Sequence, residues 1–192
     1  MVSDYTEEER LNLIASHYRE ILKLIGEDPE REGLVRTPER AAKALIAITE
    51  GYRADPVAIA HKAIFEHHGS RLVVVKDIEF YSMCEHHILP FFGHISIGYF
   101  PKGKIVGLSK LPRIVECFAR RLQVQENLTA QICNFLTQEI PNNGVIVSCK
   151  AGHLCMKMRG VEKQDCTTLT YECTGRFTDD TSLREEFFKI CE

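Results

Sequence analysis

Along the opening stretch, Leu11, Ile14, Tyr18, Ile21, Leu22 and Ile25 fall mostly at three- and four-residue steps, the period of a helix with one apolar face. Thr6, followed by Glu9 three places on, supplies a capping box for its start. A charged connection, Glu27 to Arg36, leads to Thr37-Pro38, a cap residue and a first-turn proline, and the second helix runs through Ala41, Ala42 and Leu45 to a stop at Gly51. From Arg71 to Phe80 the run Val73-Val74-Val75 predicts a strand. Ile95, Ile97 and Tyr99 alternate with Ser96 and Gly98 in a second strand, and the two are expected to pair as a hairpin.

Helical spacing returns at Ile114, Val115, Phe118 and Ala119 after the cap-like Ser109, with Pro112 tolerated in the first turn. It recurs at Val124, Leu128, Ile132, Phe135 and Leu136. Val145-Ile146-Val147 and Thr167 to Thr174 predict two more strands, and Leu183, Phe187, Phe188 and Ile190 a terminal helix. Strands arriving in pairs between helices predict an α+β fold, with a mainly antiparallel four-stranded sheet and helices on one face. Such a sheet has two open edges, and pairing with further copies of the chain removes them, which predicts a homo-oligomer.

The chain has 192 residues, 44% of them apolar and 27% charged, with a formal net charge of −3. That is one ordinary globular domain with enough chain for a core, and its slight acidity disfavours a protein that coats nucleic acid. The first twenty residues carry Asp4, Glu7, Glu8, Glu9 and Glu20 where a leader would be basic and then apolar. No apolar run approaches the roughly 20 residues that span a bilayer, so a cytoplasmic protein without membrane partners is expected. Eight cysteines make up about 4% of the chain, below the ~8–10% of a disulfide scaffold. In a reducing compartment they are core fillers, metal ligands or nucleophiles.

Chemistry concentrates in Cys84-Glu85-His86-His87 and in His153-Leu154-Cys155. Thiolate and imidazole are preferred zinc ligands, and a catalytic zinc takes three protein ligands and leaves a fourth position open. Five candidates compete for three places, against the plainer reading that the thiols are buried hydrophobes. If the strand continued through Cys84 and His87 they would face opposite sides, so a shared metal requires a turn there. His153 and Cys155, two residues apart, would share a face of a strand. Spacing alone leaves open which histidines bind metal and which move protons.

A second constellation is Gly107-Leu108-Ser109-Lys110-Leu111-Pro112-Arg113 at a predicted helix start, where free N–H groups and the helix dipole favour an anion. Residues 101–121 hold Lys102, Lys104, Lys110, Arg113, Arg120 and Arg121 against Glu116 alone, a focus of positive charge suited to a nucleotide with several phosphates. A third is Gln125-Glu126, an amide and a carboxylate side by side at a helix start. Beyond simple acidic capping, a carboxylate there can accept from the ring N–H and exocyclic amine of guanine, a paired-donor edge that adenine lacks.

These segments, together with Arg36-Thr37-Pro38-Glu39-Arg40-Ala41-Ala42-Lys43, Arg113-Ile114-Val115, Arg120-Arg121-Leu122-Gln123-Val124-Gln125-Glu126, His153-Leu154-Cys155-Met156 and Met158-Arg159-Gly160-Val161, closely resemble GTP cyclohydrolase I over nearly the whole chain. The resemblance implies a single domain, with a helical part over residues 1–66 and a tunnelling-fold (T-fold) catalytic part over 67–192. It also implies assembly into a toroidal homodecamer, a dimer of pentamers. The implied reaction turns GTP and water into formate and 7,8-dihydroneopterin triphosphate, at the entry to tetrahydrofolate or tetrahydrobiopterin synthesis.

Carried over residue by residue, the family pattern makes Cys84, His87 and Cys155 the ligands of Zn2+. It makes His153 the group that protonates N7 of guanine while a zinc-activated water attacks C8. His86 and Ser109 would assist ribose opening and rearrangement. Gln125 and Glu126 would read guanine, while Ser109, Lys110, Arg113 and Arg159 would clamp the triphosphate, with Arg40 reaching in from a neighbouring subunit. Cys166 stands where the family commonly has Ser, which removes any hydroxyl role there. With only a few residues before the first helix, regulation through the long extension seen in some relatives is not expected. The alternative is a related T-fold enzyme such as the nitrile reductase of deazaguanine synthesis, which binds a purine-like ring through a glutamate but uses a cysteine nucleophile and NADPH.

Overall fold

The computed structural model describes residues 5–69 and 71–192. Its first helix, α1 (Glu7–Leu24), opens on the expected capping box: Thr6 Oγ1 accepts from Glu9 N at 3.2 Å, and Thr6 N donates to the Glu9 carboxylate at 2.8 Å. Helix α2 (Thr37–Ile48) differs by one position from the sequence expectation, because Arg36 is its N-cap and Thr37-Pro38 already lie inside its first turn. It ends before Gly51, and a 3-10 turn (Glu50–Arg53) followed by α3 (Pro56–His61) carries the chain to the body. Gly51 is required there. A Cβ would lie 2.7 Å from the Arg120 carbonyl, to which the Gly51 N–H donates at 3.0 Å.

Strands β1 (Ile64–Glu66), β2 (Val73–Cys84), β3 (Leu89–Pro101) and β4 (Lys104–Val106) precede α4 (Lys110–Ala119), β5 (Leu122–Gln123) and α5 (Gln125–Glu139). Then follow β6 (Asn142–His153), α6 (Leu154–Lys157), β7 (Thr168–Cys173), α7 (Arg176–Asp179) and α8 (Thr181–Cys191). The main sheet runs β5-β2-β3-β6-β7, and β1 pairs with β4 separately. The four long strands are the antiparallel sheet that the sequence predicts. The fifth, β5, is two residues pairing parallel with Met83 and Cys84, too short to leave a periodicity.

Alternation explains the core. Val73, Val75, Ile78, Phe80 and Cys84 of β2 share one face only because a bulge between Val75 and Ile78, with Asp77 at φ 58°, adds a residue and resets the parity. Ile95, Ile97 and Tyr99 of β3 and Val145, Val147, Cys149 and Ala151 of β6 complete that face. Helices α4 and α5 cover it with Leu111, Ile114, Val115, Leu128, Ile132 and Leu136, each fully buried apolar side chain worth about 1.5–3 kcal/mol.

Helices are not confined to that face. Ile146 and Phe100 point the other way and pack on Phe177 and Phe187, so α7 and α8 cap one end of the second face. The reason lies in β6, whose run from Gly144 to Cys149 is buried at every position, as a strand covered on both sides must be. By contrast α1 has no buried residue, and its most extensive contacts are with α2, leaving Leu13, Ile21 and Leu24 exposed. No helix among the described residues is long and apolar enough to cross a membrane.

Candidate functional site

Strand β2 ends at Cys84, which pairs with Leu89 of β3, so residues 85–88 form a tight connection. The N–H groups of His87 and Ile88 both donate to the Cys84 carbonyl, at 3.3 and 2.8 Å. Ile88 closes the turn at φ 52°, a left-handed conformation that costs a β-branched residue about 1–2 kcal/mol. This is the turn a shared metal requires. It returns His87 Nδ1 to 3.7 Å from Cys84 Sγ.

The third member arrives from β6. His153 is the last strand residue, and the chain then coils into α6, which carries Cys155. The expectation that His153 and Cys155 share the face of a strand is therefore corrected: a helical turn separates them. Ligand atoms of Cys84, His87 and Cys155 all lie within 4.8 Å of one another. Tetrahedral zinc with Zn–S near 2.3 Å and Zn–N near 2.0 Å would place them about 3.5–3.8 Å apart, so the cluster fits with a small contraction. Burial and the neighbouring Cys84 push the Cys155 thiol up, while Arg159 pulls it down. A cation would supply the charge needed to ionise both thiols.

His153 sits beside this cluster but is held differently. Its ring stacks on Phe91, directly across the β3–β6 ladder, with centroids 4.6 Å apart and planes within 2°. Its Nε2 is 2.8 Å from Gln125 Oε1. Burial lowers its pKa, against a smaller upward pull from Glu126. Gln125 is 1% exposed, and its Nε2 faces the carbonyls of Cys149 and Thr168 and the hydroxyl of Thr170 at 3.0, 3.1 and 3.2 Å. Each polar group of its side chain thus has a partner inside the protein. Glu126, the next residue, is exposed at the amino end of α5 and remains the carboxylate open to a base.

The other expected residues stand apart within one chain. His86 is exposed, its ring 6.1 Å from that of His87. Ser109 occupies the N-cap position of α4 but makes no capping bond, and Lys110 and Arg113 follow in the first turn. The carboxyl end of α4 leads to β5 and so to Cys84. Along the chain the ten residues of α4, about 15 Å of helix, lie between Ser109 and the β5 strand that pairs with Cys84. Arg113 lines a cleft with Glu50, Arg53, Glu116 and Arg120. The focus of positive charge is narrower than the sequence suggests. Arg120 pairs with Glu116 and Glu50, Lys104 with Glu66, and Arg121 is spent on the carbonyls of Gly51 and Cys117. Arg40 projects from α2, and Cys166 is exposed in the α6–β7 connection.

Phe91 and Thr129 are residues of this neighbourhood that sequence reasoning did not single out, and Thr170, which the family pattern expects, joins them. Thr129 is one helical turn after Gln125, which is a visible signal; the position of Thr170 depends on strand register, which is not.

Residues 14–192 match the family described as GTP cyclohydrolase I. The chain is 51% identical over 189 residues to the GTP cyclohydrolase 1 of Porphyromonas gingivalis, covering 98% of this chain and 97% of the relative. It is 52% identical over 184 residues to that of Chlorobaculum tepidum, covering 96% and 82%. Among solved structures, the apo archaeosine synthase QueF-Like superposes on 56% of this chain with a TM-score of 0.43 and 15% identity, covering 96% of its own length.

Proposed function

The chain belongs to the GTP cyclohydrolase I family and is an enzyme of that activity, and from this premise we propose that Cys84, His87 and Cys155 hold a zinc ion at which GTP is converted to 7,8-dihydroneopterin triphosphate and formate. The convergence of two thiols and one imidazole carries the reading, because that donor set is zinc's and leaves a fourth position open. When bound, zinc would supply a Lewis acid and a water whose pKa is lowered toward ~7.

The protein's own residues do the rest. Glu126 accepts from the N–H and amine edge of guanine, orienting the base. His153, held beside the ligand cluster, delivers the proton that N7 needs for the imidazole ring to open. His86 and Ser109 serve the later ribose opening. Lys110, Arg113 and Arg159 bind the triphosphate, and Arg40 comes from a neighbouring copy.

The layout of the chain supports a shared site, because Lys110 and Arg113 start α4 whereas Glu126 starts the following helix α5, with the rest of α4 and β5 between them in sequence. The unburied α1 and its exposed leucines support assembly, here read as a toroidal decamer of T-fold subunits. The single domain is read as a mainly helical part up to residue 66, closed by strand β1, and a catalytic part from residue 67. The product places the enzyme at the start of tetrahydrofolate or tetrahydrobiopterin synthesis, in the cytoplasm. The nitrile-reductase alternative is disfavoured because its single nucleophilic cysteine leaves the convergence of Cys84, His87 and Cys155 unused.

Purified protein incubated with GTP should yield formate and a fluorescent pterin, and a chelator should abolish both. His153→Asn should retain about one zinc per subunit while losing roughly 10²–10⁴-fold in turnover. Mixed subunits of Arg40→Ala and His153→Ala, each inactive alone, should recover part of the activity. Loss of zinc from His153→Asn with retention in His87→Asn would reverse the two histidines' roles.

A further inference from the structure

Arg113, Glu116 and Arg120 follow one another at three- and four-residue steps, hence on one face of α4. All three line a cleft of about 480 Å³ that the 3-10 turn after α2 closes with Glu50 and Arg53. Lys110, three residues before Arg113, begins the same helical face.

The charges in this cleft do not cancel. Arg120 Nε meets both carboxylates, hydrogen-bonding Glu116 and lying 3.3 Å from Glu50. The guanidinium of Arg113 has no ion-pair or hydrogen-bond partner among the described residues. Arg53 donates one N–H to the Ile46 carbonyl at 3.2 Å, and the rest of its fork has no carboxylate partner there. Three guanidiniums against two carboxylates leave one net positive charge, carried by the two arginines that no carboxylate holds.

Arg53 is also fixed in place. Ile46 lies in the last turn of α2, so the bond to its carbonyl closes that helix. The Gly51 N–H donates to the Arg120 carbonyl at 3.0 Å, and Arg121 Nε donates to the Gly51 carbonyl at 3.1 Å. The turn that carries Arg53 is thus tied to the carboxyl end of α4, and an anion entering the cleft meets cations already held in position.

We propose that Arg53 binds the terminal phosphate of the nucleotide, in the cleft it shares with Arg113, and so selects a triphosphate over a diphosphate. The polyphosphate lies along the α4 face from Lys110 toward the cleft. Three residues of helix rise about 4.5 Å, so Lys110 and Arg113 meet successive phosphates and the last one reaches Arg53. This rests on the reading of Lys110 and Arg113 as phosphate ligands and adds a residue from the facing wall. No bond to these phosphates is made or broken in the reaction, so Arg53 acts equally on bound substrate and transition state, lowering KM and leaving kcat alone.

The test uses metal-loaded enzyme, with GTP as substrate and GDP as competitive inhibitor. Arg53→Gln should raise the KM for GTP about tenfold, on the scale of one charge-assisted hydrogen bond, with kcat and the Ki of GDP each within about twofold of wild type. Arg53→Lys keeps the charge but not the planar fork and should recover part of the difference. The readout compares two ligands of one protein, so a fraction of misfolded enzyme lowers the rate without moving the ratio. Equal weakening of GTP and GDP in Arg53→Gln, or a KM for GTP within about twofold of wild type, overturns the assignment. Arg113→Gln should weaken GTP and GDP alike. If it weakens neither, the phosphate reading of α4 fails and takes the inference with it.

Discussion

Stripping a metal from the Cys84, His87 and Cys155 cluster should lower the melting temperature by an amount that binding linkage and chain length set. Ligand held at a thousand times its dissociation constant stabilises the native state by about 4 kcal/mol. For a chain of this size each kcal/mol moves Tm by roughly 2–4 °C, so chelation should cost about 8–16 °C. Burial and the adjacent Cys84 push the Cys155 thiol up, toward its neutral form, in the metal-free site. For the same reason the metal must displace a proton on binding. The gap between metal-loaded and stripped protein should therefore narrow as the pH falls from 8 to 6. The assay is a thermal melt at fixed protein concentration, with and without excess chelator, on wild type and Cys155→Ser, with bound metal measured in each. Cys155→Ser should move by less than about 2 °C on chelation. A wild-type Tm that ignores complete removal of the metal, or an equal shift in Cys155→Ser, would refute a stabilising site at these three residues.

Glu126→Gln exchanges an acceptor for an N–H opposite the donors of guanine, so GTP turnover should fall well beyond tenfold; activity within about threefold of wild type would reduce Glu126 to helix capping. The thiols should separate sharply toward an alkylating reagent at pH 8. Cys166 is exposed and should label first, whereas burial pushes Cys133 and Cys149 up to about 12 and they should stay unmodified until the protein unfolds, as read by mass spectrometry.

The elements legible in the sequence were those with long periodic faces: α1 with its capping box, α4, α5, the β2–β3 hairpin and β6. Shorter pieces escaped because their cause is tertiary. Strand β5 exists because α4 delivers Leu122 and Gln123 beside Met83 and Cys84, and α7 because Phe177 has a pocket against Phe100 and Phe187. At the site, the metal-ligand chemistry was visible in Cys84, His87 and Cys155, although the split between ligand and acid among the histidines came only from family likeness. A sequence shows an amide beside a carboxylate at Gln125-Glu126 but not the three acceptors that the Gln125 amide faces in the fold.

The two halves of the ligand set belong to strands that never touch. Cys84 ends β2 and His87 lies in the turn after it, Cys155 follows β6, and β3 lies between, paired to both strands. No local segment of the chain can therefore assemble the site. A slip of one residue in either pairing would turn Cys84 or His153 to the opposite side of the sheet. A metal held by these three residues would therefore report on long-range order: only a chain whose central three strands have all found their register could present the complete ligand set.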